Sequence, residues 1–223
     1  MKYFIICIVG LLVQLLFIKV ELENKYLPAV ILKGMAALVF VILGFICGQQ
    51  SINLEFAKMV KLGLIFGMLG DILLNLRHLF KKIDSLIFLV GILVFLTGHI
   101  FYLLALLPLC TNTLVAIIIG IVITILLLIW IFSKIEAKIT FKIFGIFYIG
   151  AIVIMTSVAL INYLNNPNTN GLIYLIGALL FTASDIILIF NTFGKESKKS
   201  MRIANLLLYY LGQLAIALSL LFI

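Results

Sequence analysis

Four ionisable side chains lie within long apolar segments of the sequence, where a charge is costly. Asp71, Asp185 and Lys33 fall well inside such segments, and His99 is the only histidine that does so. A charged Asp or Lys at the centre of a membrane helix costs about 2.5–3.5 kcal/mol, so residues of this kind usually serve a site. Two carboxyl groups in a partly dry cavity suit acid–base chemistry, because one can hold a proton while the other stays charged.

This division of labour suits reactions that pass through an oxocarbenium-like state. Glycosides are cleaved in this way. A vinyl ether could be opened similarly, by protonating the alkene carbon, stabilising the oxocarbenium ion and adding water to give an aldehyde and an alcohol. Zinc hydrolysis fits poorly, because His99 is the only imidazole at a useful depth. A serine elbow, a phosphate-binding loop and a dinucleotide fingerprint are all absent from the sequence.

The elements that must position these groups follow from the composition. Of the 223 residues, 65% are apolar and 11% are charged, and the mean hydropathy is +1.37. This composition excludes a cytosolic enzyme, a secreted disulfide scaffold, a disordered chain and a nucleic-acid-binding module. At about 20 residues per span, the chain has room for eight transmembrane helices. Apolar runs predict them at roughly 2–20, 28–47, 61–76, 86–106, 113–133, 141–161, 171–190 and 202–222.

The distribution of Lys and Arg predicts the orientation in the membrane. The loops after the odd-numbered spans hold twelve of these residues, and the opposite side holds three. Because positive loops stay in the cytoplasm, we expect the odd loops there and both termini outside. We expect an integral membrane protein of a bacterial cell membrane. The three cysteines, Cys7, Cys47 and Cys110, form no metal-binding pattern and are expected to be small apolar filler, although a disulfide between two of them stays open.

An internal duplication is indicated by a shift of 114 residues. It places the segment from Gly63 to Asp71 on the segment from Gly177 to Asp185, and Gly98-His99 on Gly212-Gln213. Four spans per half return the chain to its starting side, so the repeat is parallel. We therefore predict an all-α polytopic membrane protein that forms a single domain over 1–223, with a 4+4 repeat whose halves cover about 1–110 and 111–223.

The depths of the polar residues predict a shared cavity. Asp71 and Asp185 each lie about five residues from the cytoplasmic end of their spans, or roughly 8 Å. Lys33 and Tyr148 fall at a similar depth, and His99 lies near the middle of the membrane. Structural roles stay open for all of them: the acids could form a structural pair satisfied by Lys33 or a tyrosine hydroxyl, Lys33 could reach the inner surface, and His99 could make a hydrogen bond between two helices. The stripe of Gly63, Gly67 and Gly70 beside Asp71 predicts close helix packing.

Several short motifs together resemble the YhhN family, which includes the mammalian lysoplasmalogenases. The matching motifs are Gly70-Asp71-x-x-Leu74, Gly98-His99-x-x-Tyr102, Ser184-Asp185-x-x-Leu188, and Tyr209 and Tyr210 with Gln213. The resemblance covers about residues 10–220. The chain departs from the family pattern at Gly34, where a proline follows the lysine, and at Gly67, where a serine is frequent.

The resemblance implies a membrane hydrolase that opens the vinyl ether of lysoplasmalogens without a metal or an organic cofactor. Its products would be a fatty aldehyde and a glycerophospho-ethanolamine or -choline. Asp71 and Asp185 would be the catalytic acid and base, in an order that the sequence does not assign, and Lys33 would hold the lipid phosphate or tune one Asp. The other residues expected to bind or orient the substrate or water are Asn75, His99, Tyr102, Tyr148, Ser184, Tyr209 and Gln213.

Two other classes of function also fit the sequence. A small proton-coupled transporter or lipid exporter would show a parallel repeat with acids in the membrane. A scaffold protein would use the same acids only to bind helices together. For the hydrolase we expect a lysophospholipid substrate and surrounding membrane lipids as partners, and no nucleic acid. The oligomeric state is left open.

Overall fold

The protein, described by a computed structural model over residues 1–223, consists of eight long helices joined by short loops. All eight are long and apolar enough to cross a membrane, which confirms the prediction of an all-α polytopic membrane protein. The helices are α1 (Lys2–Leu22), α2 (Tyr26–Gly48), α3 (Leu54–Leu76), α4 (Asp84–Leu106), α5 (Thr113–Phe132), α6 (Ile139–Asn165), α7 (Thr169–Phe193) and α8 (Lys199–Ser219).

Six of the eight helices begin before the predicted positions, and an asparagine side chain caps two of these six, α3 and α7. The side chain of Asn53 accepts the backbone N–H of Phe56 at 3.0 Å, so α3 starts seven residues before the predicted position 61. Asn168 caps α7 in the same way. Helix α7 also continues three residues past position 190. Asp185 therefore lies eight residues from the end of its helix instead of the predicted five, whereas Asp71 lies five from Leu76 as expected.

The closest helix pairs are α3 with α4 and α7 with α8, and both pairs meet at glycines. A Cβ atom added to Gly98 would lie 3.2 Å from the carbonyl oxygen of Gly63. One added to Gly212 would lie 2.9 Å from the carbonyl oxygen of Gly177. A side chain at either position would push the two backbones apart, so glycine permits this close approach. The two contacts correspond under the shift of 114 residues, but the duplication itself stays a prediction.

The two halves meet through α4 with α6 and α2 with α8. Helix α8 is the most buried span, whereas α1 and α5 are the most exposed to the surroundings. The ends of the bundle differ in charge: the loops after α1, α3, α5 and α7 lie together at one end, named here the basic end. Its placement in the cytoplasm stays a prediction. All three cysteines are free, and Cys47 is fully buried in the apolar core, as a filler residue would be.

Candidate active site

Asp71 and Asp185 line one pocket inside the bundle, named here the acid pocket. Lys33, Asn75, Tyr148 and Tyr209 also line it, so the structure brings together six of the ten predicted site residues. The walls come from α2, α3, α4, α6, α7 and α8. The cavity measures about 50 Å³, which is room for about three to five water molecules at roughly 10–15 Å³ each.

Asp71 has a cation and a hydroxyl as its partners. Lys33 Nζ lies 3.3 Å from Asp71 Oδ1, and the Tyr209 hydroxyl donates to Asp71 Oδ2 at 2.9 Å. The lysine contact is an ion pair whose geometry falls outside that of a hydrogen bond, and no other protein acceptor meets Nζ. The ammonium group also lies 4.5 Å from the centre of the Tyr209 ring. Because Lys33 and Asp71 are both buried, each charge offsets the desolvation cost of the other.

A chain of hydrogen bonds runs from α4 through α8 to Asp71. Tyr102 donates to Gln213 Oε1 at 2.6 Å, and Gln213 Nε2 donates to the Tyr209 oxygen at 3.2 Å. Tyr209 then donates to Asp71, so every donor in this relay points toward the carboxylate. Tyr102 and Gln213 stand behind the wall of the acid pocket and do not line it.

The glycine stripe of α3 makes the space for these side chains. A Cβ atom added to Gly67 would lie 2.6 Å from Gln213 Nε2, and one added to Gly63 would overlap the ring of Tyr102. At Gly70 the added atom would lie 2.6 Å from the ring of Phe95. The stripe therefore packs closely, as predicted, and it is what lets the relay reach α3.

Asp185 has only a hydroxyl partner. Tyr148 donates to Asp185 Oδ2 at 2.7 Å, and no Lys or Arg forms an ion pair with this carboxyl group. The side chain is 3% exposed, so it is as deeply buried as Asp71. The two acids of the pocket therefore share depth and burial but differ in their counter-charge.

The remaining predicted residues occupy other places. The ring of His99 packs against Phe181 with centroids 4.5 Å apart, its Nδ1 contacts the Phe95 carbonyl at 2.8 Å, and its Nε2 has no partner. Ser184 donates to the carbonyl of Asn205, whose amide donates back to Ser184, which joins α7 to α8. Neither His99 nor Ser184 lines the acid pocket, although Asn205 does. Their roles toward a substrate stay predictions.

Asn75 lines the acid pocket and bonds within its own helix. Its Nδ2 donates to the backbone carbonyl of Asp71 at 3.0 Å, which fixes the orientation of the side chain. The amide oxygen makes no hydrogen bond within the protein, so it is an available acceptor for water or for a substrate hydroxyl.

A second, apolar pocket adjoins the acid pocket. It measures about 60 Å³, and fifteen of its eighteen lining residues are hydrophobic. Five residues line both cavities: Leu74, Phe88, Phe95, Tyr148 and Leu188. At Gly145 an added Cβ atom would meet nothing within 4 Å, so the wall of the apolar pocket is open at this position. A hydrocarbon chain lying here would end beside the two acids.

Sequence reasoning missed two arginines of the acid pocket, because it counted them only as loop charges that set the orientation. Arg202 pairs with Glu21 through two nitrogens, and its Nε lies 3.2 Å from Oε2. Arg77 stacks on Phe88, with its Cζ 4.6 Å from the ring centre, and burial lowers the pKa of its guanidinium to about 10. Arg77 could have been found from its position at the end of α3, the helix of Asp71, where it follows Asp71 by six residues or about 9 Å.

The fold and the pocket define an integral membrane protein with two buried carboxyl groups at the edge of an apolar cavity. The family model of YhhN matches residues 24–220, nearly the whole chain. The chain therefore belongs to the YhhN family, which confirms the resemblance seen in its motifs. No curated protein and no solved structure matches it significantly.

Proposed function

We propose that this protein hydrolyses the vinyl ether of a lysoplasmalogen and releases a fatty aldehyde and a glycerophospho-ethanolamine or -choline. The observation that carries the proposal is that two buried carboxyl groups line one pocket whose wall continues into an apolar cavity. A single-chain lipid needs this combination, because its reactive bond joins the polar glycerol to the tail. Membership of the YhhN family supports the same reaction.

The different partners of the two acids suggest their roles. Asp71 has a counter-cation 3.3 Å away, so it suits the charged base that stabilises the oxocarbenium ion or activates water. Asp185 has no counter-cation, and an unpaired buried charge costs several kcal/mol. Asp185 is therefore the better proton donor, and this assigns an order that the sequence leaves open.

The reaction then balances without any other reactant. Asp185 protonates the second carbon of the alkenyl chain, and the first carbon becomes part of an oxocarbenium ion beside Asp71. Water adds to the first carbon and gives up a proton, which restores the acid. The resulting hemiacetal collapses into the aldehyde and the free hydroxyl of the glycerol. Asn75 and Tyr148, which line the pocket, would orient the water or the ether oxygen.

The test measures aldehyde released from an alkenyl lysophosphoethanolamine by the purified full-length protein in detergent. Asp185→Asn should lower the rate at least about 100-fold, since a positioned proton donor contributes about 10²–10⁴-fold. Glu55→Gln is the matched control, because it removes a carboxylate that is exposed near the start of α3. Its rate should equal that of the unchanged protein.

Three results would overturn the proposal: no aldehyde from the unchanged protein, full activity in Asp185→Asn, or equal losses in Asp185→Asn and Glu55→Gln. A transporter would instead move the lipid across a vesicle membrane and form no product. For Asp71 the informative variant is the double change Lys33→Met with Asp71→Asn, which removes both charges of the ion pair and avoids stranding one. It should also lose activity while staying folded.

A further inference from the structure

Three cavities meet at one side chain near the basic end of the bundle. Besides the acid pocket, a cavity of about 460 Å³ lies between the α3–α4 turn and α6–α7, and another of about 510 Å³ lies beside α1 and the α7–α8 loop. Arg77 is the only residue that lines all three. Its guanidinium therefore stands where a ligand would pass from the wide outer cavities into the acid pocket.

This guanidinium has no acceptor within the protein. It forms no ion pair, and the hydrogen bonds of the chain include none from its side chain. The carboxylates nearby have other partners: Glu21 is bound by Arg202, and Asp84 accepts the backbone N–H of Ser85 at 2.6 Å. Stacking on Phe88 holds the planar group in place. A rigid fork of five unused donors is the arrangement with which arginine binds oxyanions such as phosphate.

The offset between Arg77 and Asp71 along the helix axis is close to the length of the glycerol of a phospholipid. Arg77 follows Asp71 by six residues, which is a rise of about 9 Å along a helix. In a lysophospholipid, six covalent bonds of about 1.5 Å join the phosphorus to the first atom of the tail, so they span at most about 9 Å. A phosphate held at Arg77 therefore brings the bond between glycerol and tail to the depth of Asp71.

Lys33 is less suited to bind the lipid phosphate, although the family resemblance implies this as one of its two roles. Its ammonium is already paired with Asp71, and the side chain is 2% exposed. A phosphate at Lys33 would also place a second anion beside the Asp71 carboxylate. The free cation of the acid pocket is Arg77, because Arg202 is engaged by Glu21.

We propose that Arg77 binds the phosphate group of a single-chain glycerophospholipid and so sets the depth at which the lipid enters the acid pocket. The choice of lipid rests on the proposed function, but phosphate binding at Arg77 does not require hydrolysis. The same donors could hold a free phosphate, so the experiment separates the two sources.

Binding to the unchanged full-length protein is measured by calorimetry in detergent with ligands that cannot be hydrolysed. The probes are a saturated 1-alkyl lysophosphocholine, a 1-alkylglycerol of the same chain length that lacks phosphate, and inorganic phosphate. Arg77→Gln should weaken binding of the lysophosphocholine about 10- to 100-fold and leave the alkylglycerol unchanged, since a hydrogen bond to a charged group contributes about 1.5–3 kcal/mol. Arg77→Lys should fall between, because an ammonium keeps the charge but loses the fork.

Lys82→Gln is the matched control, because it removes one positive charge from the same turn at an exposed residue that lines none of the three cavities. It should leave all three affinities unchanged. The proposal is overturned if Arg77→Gln binds the lysophosphocholine normally, if it weakens the alkylglycerol equally, or if only inorganic phosphate depends on Arg77. If lipid binding depends on Arg77 but no aldehyde is released from an alkenyl lipid, the hydrolase proposal fails and this one stands.

Discussion

Under the predicted duplication, Asp71 and Asp185 occupy corresponding positions in the two halves of the chain, and their surroundings differ at two places. On the preceding helix, the shift of 114 residues places Lys33 opposite Phe147, next to the Tyr148 that bonds Asp185. On the following helix, the same shift places Phe95 opposite Tyr209. Asp71 therefore pairs with the Lys33 cation and accepts a hydrogen bond from the Tyr209 hydroxyl. For Asp185 the residues at the corresponding positions are Phe147 and Phe95, and neither ring has a hydrogen-bond donor.

The comparison shows how similar helix packing can surround two buried acids with different partners. Helix packing gives both carboxyl groups the same burial, and a single lysine decides which of them has a counter-charge. The rings of Phe95 and Tyr209 lie 5.8 Å apart at the contact between the halves, so the difference is made where the two halves meet. Breaking the asymmetry should therefore have unequal effects on the two sides.

The largest difference is expected for the stability of the two single asparagine variants. Asp71→Asn leaves the buried Lys33 charge without a partner and should lower the free energy of unfolding by about 3–5 kcal/mol. Asp185→Asn leaves no charge unpaired and should cost about 1 kcal/mol, the value of one hydrogen bond. Thermal unfolding in detergent measures both. Equal losses would show that Lys33 does not depend on Asp71.

A smaller difference is expected between the two tyrosines that donate to the acids. Tyr209→Phe removes a hydrogen bond to the paired carboxylate and also releases Gln213 and Tyr102 from the relay, so it should cost about 1.5–3 kcal/mol. Tyr148→Phe removes one hydrogen bond and should cost about 0.5–1.5 kcal/mol. Denaturant titration of the two variants checks the order, and the reverse order would contradict the relay.

Filling the apolar pocket should change the preference for tail length. Gly145→Leu places a side chain in open space along the wall and should disfavour long alkenyl tails about tenfold relative to short ones, since two displaced methylene groups are worth about 1.6 kcal/mol. The measurement is the ratio of kcat/KM for two chain lengths. Ile146→Phe is the control, because it adds bulk on the exposed side of the same helix. An unchanged ratio in Gly145→Leu would place the tail elsewhere.

The smallest effect is expected at His99, which stands behind the pocket. His99→Asn keeps a donor near the Phe95 carbonyl and should change the rate of aldehyde release by less than about threefold, or about 0.7 kcal/mol of activation free energy, because the imidazole does not line the acid pocket. A folded variant that loses the rate 100-fold would give the imidazole a direct part in the reaction.

The sequence predicts the fold well, because eight apolar runs of membrane length leave few alternatives. It also singles out Asp71 and Asp185, because a carboxyl group is costly in a membrane, and both line the acid pocket; their catalytic roles stay predictions. It offers Lys33 or a tyrosine hydroxyl as partners of the acids but does not assign them: Tyr209 lies 138 residues from Asp71, and only the packing of α8 on α3 brings them together. The sequence does not single out Arg77, because this residue counts there as one of the loop charges. Ser184 is expected at the site because it precedes Asp185, but its hydroxyl donates to the Asn205 carbonyl on α8.

The distance of Tyr209 from Asp71 along the chain has a consequence for biosynthesis. Helices α2 and α3 leave the ribosome well before α8, and Tyr209 is made 138 residues after Asp71. Lys33 is made before Asp71. During that interval it is the partner that lowers the free-energy cost of the Asp71 carboxylate in the lipid. Lys33 thus compensates the Asp71 charge during insertion, and the Tyr209 hydroxyl binds Asp71 only when the last helix joins the bundle.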